Sequence, residues 1–262
     1  MSLNRREFIL GSGAFALCPT IGFGKAISEH NDELNDLIAF SKTCNIVNLK
    51  DGVVNFNPRP YQIEYFKNIL ESNTFVCRKC RQCGATTMNL IYAHWMAERH
   101  PEKRVFLVYN KRSMIEHARH VFDTMFYDNP MMRHQNISSV EFMTYDSLIK
   151  SVDSITYSPY VDFKSYAYRS LIKDTIVLFD EYSFIPKNQF SILMGYSMLD
   201  SMKTIWVSTP NASNDLMWEN GKSSKTITRM KITGEQVFPQ YRIEELRQCL
   251  GNERFDQEIS IS

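Results

Sequence analysis

Phe75-Val76-Cys77-Arg78-Lys79-Cys80-Arg81-Gln82-Cys83-Gly84-Ala85-Thr86-Thr87 is the stretch whose reading decides the fold. The apolar residues at its start predict a buried strand over 74–77. Thr86 to Arg99, with Leu90, Ala93, His94 and Ala97 on one side, predicts a helix. Between them lies a turn with one glycine and two threonines. Strand, glycine turn and helix is the layout of a phosphate-binding loop, in which backbone N–H groups at a helix N-terminus favour a polyphosphate. Such loops place a lysine directly after the glycine. Ala85 stands there instead, and a lysine occurs at the front of the loop, at Lys79. A lysine is a point charge on a long flexible stem, so that displacement is compatible with phosphate binding.

Further apolar segments predict strands at 105–109, 175–179 and 204–207, alternating with helices at 61–70 and 113–126. That alternation implies an α/β architecture with parallel strands, whose C-terminal ends share one ligand-binding edge. Each expected strand tip with a polar cluster has a functional and a plain reading. Thr86 is placed to put its hydroxyl on Mg²⁺. Ile176-Val177-Leu178-Phe179 buries a strand and delivers Asp180 and Glu181. Asp180 suits Mg²⁺ and Glu181 suits a water-polarising carboxylate, the plain alternative being a solvated turn. Ser208-Thr209-Pro210-Asn211 follows the last strand, and Pro210 alone would explain where that strand stops. Upstream, Pro60-Tyr61-Gln62 offers a glutamine amide able to read an adenine edge, or simply a residue at a helix start.

Taken together, Pro60-Tyr61-Gln62, Cys80 to Thr87, Ile176 to Glu181 and Ser208-Thr209-Pro210 resemble the ATPase half of tailed-phage terminase large subunits, from about Val53 to Trp218. The resemblance implies a P-loop NTPase fold of the ASCE type, a parallel sheet flanked by helices. It implies ATP and Mg²⁺ as cofactors, held by Gln62, Lys79, Arg81, Gln82, Cys83, Gly84, Ala85, Thr86, Thr87 and Asp180, with Thr86 and Asp180 on the metal. Glu181, Arg81 and Lys79 become the catalytic set, with Arg81 a cis-acting arginine finger. Ser208, Thr209 and Pro210 become the motif coupling hydrolysis to movement. The implied partners are double-stranded DNA, the viral portal and the small terminase subunit, with a ring oligomer on the capsid. This sequence departs from the family in the loop lysine, which leaves a hydrolysis-deficient nucleotide-binding adaptor as an alternative. It also departs after Pro210, where no room for the family's nuclease is expected, so a separate nuclease is a further partner.

Composition bounds these readings. The chain has 262 residues, 44% hydrophobic content and a formal net charge of +1, so any DNA contact must come from local patches such as Lys111-Arg112 or Lys222, Lys225, Arg229 and Lys231. Cys77, Cys80 and Cys83 are spaced as metal–sulfur ligands, with Cys44, Cys249 or the His117/His120 pair as the fourth, and a metal–sulfur protein is the third reading. The expected organisation is an N-terminal arm and helix over 1–45, an ATPase core over 46–220 and a C-terminal extension over 221–262. Asn4-Arg5-Arg6-Glu7-Phe8-Ile9-Leu10 matches a twin-arginine export signal over 1–26, whereas an ATP-driven motor belongs in the host cytoplasm.

Overall fold

The computed structural model describes residues 22–48, 52–125, 139–148, 174–186, 189–190, 193, 202–210 and 215–261. The export-signal motif, Asp51, Asn211 and most of residues 128–172 lie outside the described residues.

Among the described residues, six strands form one wholly parallel sheet: β3 (Thr74–Lys79), β4 (Arg104–Tyr109), β5 (Val140–Thr144), β6 (Thr175–Asp180), β7 (Met202–Ser208) and β8 (Ile227–Ile232), in the order β5-β4-β6-β7-β3-β8. A separate antiparallel hairpin pairs β1 (Asn45–Asn48) with β2 (Gly52–Asn55). The order carries the functional logic. Strand β7 is inserted between β3, which feeds the glycine loop, and β6, which carries the acidic pair. The register sets Arg78 opposite Ser208 and Asp180 opposite Val207, so all three polar tips emerge on one edge.

The central strands are buried on both faces, and residue parity decides the side. Phe75, Cys77, Leu107, Ile176, Leu178, Ile205 and Val207 enter one core. Val76, Val108, Val177, Phe179 and Trp206 enter the other, where Phe179 stacks on Trp206 at a ring separation of 3.9 Å. The first core is closed by α1 (Gly22–Ser41), α2 (Pro60–Glu71), α3 (Ala85–Arg99) and α4 (Arg112–Met125). Helix α3 is buried along nearly its whole length. Its His94 stacks on Phe40 of α1 at 5.6 Å and meets Phe122 of α4 at 5.4 Å. Helix α5 (Leu216–Ser223) contributes Met217 and Trp218 to the second core.

Several boundaries differ from the sequence expectation. Helix α2 starts at Pro60, one residue before the expected 61–70 helix, because a proline at the first helical position lacks only an N–H that would be unpaired anyway. The residues suit a helix over 28–44 with Ser28 as its cap, but α1 already starts at Gly22. Strand β3 runs two residues further than Cys77, so Cys77 is a buried mid-strand residue and Lys79 is the strand tip. Strands β5 and β8 are additional. They are the two edges of the sheet, and β8 reads Ile-Thr-Arg-Met-Lys-Ile, an alternation with one wet face rather than an apolar run. Gly251, at φ +73°, closes α6 (Gln240–Leu250).

Candidate active site

The glycine loop spans 80–84 between β3 and α3. Two residues in it have left-handed backbone, Gln82 at φ 61° and Gly84 at φ +80°. Gly84 is the N-cap of α3, so its conformation turns the chain into the helix. A Cβ there would lie 3.2 Å from Nε2 of Gln62. The loop is fixed from below by Tyr61, whose hydroxyl donates to the Cys83 carbonyl at 3.0 Å. Gln62 is buried with both ends of its amide engaged. Oε1 accepts from the Arg59 N–H at 2.9 Å, and Nε2 lies 3.4 Å from the Cys83 carbonyl. It therefore caps α2 while also lining the cavity beside the loop.

That cavity, of about 460 Å³, opens between the hairpin, the loop and the segment preceding α6. Phe56, Tyr61, Gln62, Gly84, Thr87 and Phe238 are among its walls. Aromatic rings beside an amide suit a flat heterocycle with a polar edge.

Lys79 lies at the centre of the polar edge. It is buried, it forms an ion pair with Oε1 of Glu181, and its Nζ donates to Oγ1 of Thr209 at 3.2 Å. Burial opposes its charge, yet Glu181 and Asp180 outweigh that and hold the ammonium above its usual pKa. Glu181 sits in the left-handed region at φ 58°, an uncommon conformation for a glutamate. The sharp turn swings its carboxylate back over the neighbouring strand. There Oε2 accepts from the Ser208 hydroxyl and from the Thr209 N–H, each at 3.1 Å. One carboxylate thus joins the tip of β3, the tip of β6 and the segment after β7.

Asp180 is fully buried. Thr86 donates its hydroxyl to Oδ2 at 2.7 Å, and Oδ1 has no hydrogen-bond partner among the described residues. Burial, then the adjacent Glu181, pushes the Asp180 carboxyl up to about 6. A threonine hydroxyl beside an orphaned buried carboxylate oxygen is a fitting donor set for Mg²⁺, a hard cation that takes oxygen ligands. Tyr145 locks the strand end by donating to the Asp180 carbonyl at 2.6 Å.

The remaining sequence candidates take clear places. Ala85 is buried at the first turn of α3. Gln82 and Arg81 are exposed, and Arg81 points to Glu258 rather than to Lys79 or Asp180. Thr87 faces the cavity. Pro210 accepts from Gln257 at 3.0 Å through its carbonyl. Tyr61 was singled out only as the neighbour of Gln62, and the roles of Tyr145, Phe238 and Glu258 had no signal in the sequence, since each comes from an element distant along the chain. Cys77, Cys80 and Cys83 are buried free thiols, Cys44 is buried elsewhere and Cys249 is exposed. Among the described residues no three His, Cys, Asp or Glu side chains converge as metal ligands, so the metal–sulfur alternative lacks a ligand set there. His117 and His120 are exposed on α4. No described helix is long and apolar enough to cross a membrane.

A parallel sheet with a strand inserted between the glycine-loop strand and the acid-bearing strand is a P-loop NTPase fold of the ASCE type. Among solved structures, the same fold occurs in the ATPase domain of the Thermus phage P74-26 large terminase. The TM-score is 0.56 at 12% identity, over 87% of this chain and 96% of that one. The large terminase of bacteriophage HK97 matches at a TM-score of 0.59 and 11% identity, over 87% of this chain and 54% of that one. This chain therefore spans about half the length of the HK97 protein. No family model matches the sequence, and no curated protein matches it.

Proposed function

We propose that this protein is an ATP hydrolase of the DNA-packaging motor type, with the segment 79–87 as its phosphate site. The observation that carries the reading is the convergence of Lys79, Glu181 and Thr209 on one point, beside the Thr86–Asp180 pair. Each comes from a different strand tip or helix start, and each has the chemistry its position requires.

In this reading the adenine lies in the cavity walled by Tyr61, Gln62 and Phe238, with Gln62 exchanging its capping bond for the base edge. The triphosphate runs along the N–H groups of 82–87 at the start of α3. Lys79 supplies the charge that Ala85 lacks, reaching the β- and γ-phosphates from the strand tip. Thr86 and Asp180 hold Mg²⁺, which neutralises phosphate charge when bound. Glu181 orients the attacking water and accepts its proton. Because Glu181 also accepts from Ser208 and Thr209, loss of the γ-phosphate is transmitted to the segment after β7. Arg81 acts as the cis arginine.

The Lys79–Glu181 ion pair also supports a second reading, a nucleotide-binding adaptor that does not hydrolyse, since the pair occupies both catalytic groups at once. In the motor reading, entry of nucleotide draws Lys79 to phosphate and releases the carboxylate. Double-stranded DNA would contact exposed cations, Lys111 and Arg112 beyond β4 and Arg229 and Lys231 on β8, the last two lying over the Trp218 ring at 4.9 and 5.9 Å. A portal, a small terminase subunit and a separate nuclease are the partners this activity needs, with a ring oligomer as the working form in the host cytoplasm. Purified protein is expected to hydrolyse ATP with Mg²⁺; tight ATP binding with no turnover would select the adaptor reading instead.

A further inference from the structure

The 252–261 segment touches the candidate site at two points, and neither contact belongs to the nucleotide machinery. The Arg81 N–H donates to the Glu258 carbonyl at 3.0 Å, and Arg81 Nε lies 3.2 Å from Glu258 Oε2. The neighbouring Gln257 donates to the Pro210 carbonyl at 3.0 Å. Loop and coupling motif are therefore both tied to consecutive residues of one short segment.

That segment is well anchored and locally unusual. Phe255 and Ile259 are buried against Ile243 of α6 in a small core of their own. The glycine at Gly234 is required for that packing, because a Cβ there would stand 2.2 Å from Ile259 Cγ2. Residues Asp256–Ser260 form a single π-helical turn, a rare wide turn that is frequent at functional sites. Ile261 follows in the left-handed region at φ 56°, an outlier for a β-branched residue, with its side chain buried in the main core. A segment that carries both features is held in place by its contacts rather than by local preference.

We infer that Glu258 is a positioning residue for Arg81: it holds the loop arginine off the nucleotide, and phosphate must compete with it. ATP binding then loosens the 252–261 segment, and its release reaches Pro210 through Gln257. This inference rests on the reading of 79–87 as a phosphate-binding segment. Charge makes the exchange feasible. Arg81 is 57% exposed and Glu258 17%, so the pair is partly solvated and a polyphosphate is the stronger anion. Arg254, with Nε 4.0 Å from the other Glu258 oxygen, remains to satisfy the carboxylate when Arg81 departs.

The test is ATP affinity and amide hydrogen exchange in the wild type, Glu258→Gln and Glu245→Gln. Glu245 pairs with Arg242 on α6, so its variant removes the same charge far from the loop. Glu258→Gln is expected to bind ATP about 1.5- to 5-fold more tightly than wild type, the range of a partly exposed ion pair, while Glu245→Gln matches wild type. In the wild type, ATP should speed exchange across 252–261; in Glu258→Gln exchange there should already be fast without nucleotide. Equal affinities in the two variants, or exchange over 252–261 that ignores ATP, would overturn the inference while leaving the ATPase reading intact. A wild type that binds no ATP would overturn the phosphate-loop reading and this inference with it.

Discussion

Replacing Lys79 by alanine is the most searching perturbation of this site. Its ammonium is the buried cation between two carboxylates, one of them fully buried. Two losses follow and must be separated. The first is stability: breaking a buried pair leaves Glu181 uncompensated, at about 3–5 kcal/mol for full burial. Glu181 is 19% exposed, so the low end, about 3 kcal/mol, applies. For a chain of this size that lowers Tm by about 6–12 °C. The second is affinity. In the proposed reading Lys79 meets the β- and γ-phosphates, so removing its charge should cost about 2–5 kcal/mol of ATP binding, or roughly thirtyfold to several thousandfold in Kd. The control is one residue away. Arg78 points to the opposite face of β3, where Asp215 binds it, with that carboxylate also accepting from the Tyr182 hydroxyl at 2.7 Å. Arg78→Ala should therefore lower Tm yet leave ATP affinity close to that of wild type. Calorimetric titration of ATP well below both melting points reads the difference. Equal ATP affinity in folded Lys79→Ala and wild type would refute the displaced-lysine argument.

Glu181→Gln should keep its bonds to Ser208 and Thr209 and bind ATP, but turnover should fall at least about 100-fold, the contribution of a positioned base; undiminished turnover would remove Glu181 from catalysis. Gly84→Ala forces a Cβ into a left-handed turn at φ +80° and against Gln62, so thermal unfolding should register about 1–2 kcal/mol of destabilisation together with weaker ATP binding. Burial pushes the His94 imidazole from 6.5 down to about 4, so the unfolded chain takes up the proton first as pH falls. The stability is complete above pH 6.5 and is lost toward pH 4, by up to about 3 kcal/mol, with Glu98 at 3.9 Å from Nε2 limiting the loss. A His94→Leu variant should flatten that acid limb in pH-dependent chemical denaturation; an unchanged limb would assign it to other groups.

The central strands were legible because double burial makes them apolar runs: Ile176 to Phe179 and Ile205 to Val207 leave few alternatives. The edge strands were not, since β8 needs apolar residues on one face only, and its arginine and lysine read as a loop. The same distinction holds in the site. Thr86, Asp180 and Glu181 are named by their position at strand tips and helix starts, which local sequence encodes. Lys79 was readable as a lysine near the loop, but its proximity to Glu181 and Thr209 depends on β7 lying between β3 and β6, a long-range pairing. Gln62 was readable as a helix-start residue, and its burial under the glycine loop was not. Glu258 lies far from Arg81 in sequence, and nothing in the periodicity of 240–261 marks it as a partner.

The most direct test of the central claim is steady-state ATP hydrolysis by the purified protein with Mg²⁺, with and without double-stranded DNA. A DNA-packaging ATPase built on Lys79, Thr86, Asp180 and Glu181 predicts turnover that DNA stimulates and that Lys79→Ala abolishes. Absence of turnover under both conditions, in folded protein that binds ATP, would contradict it.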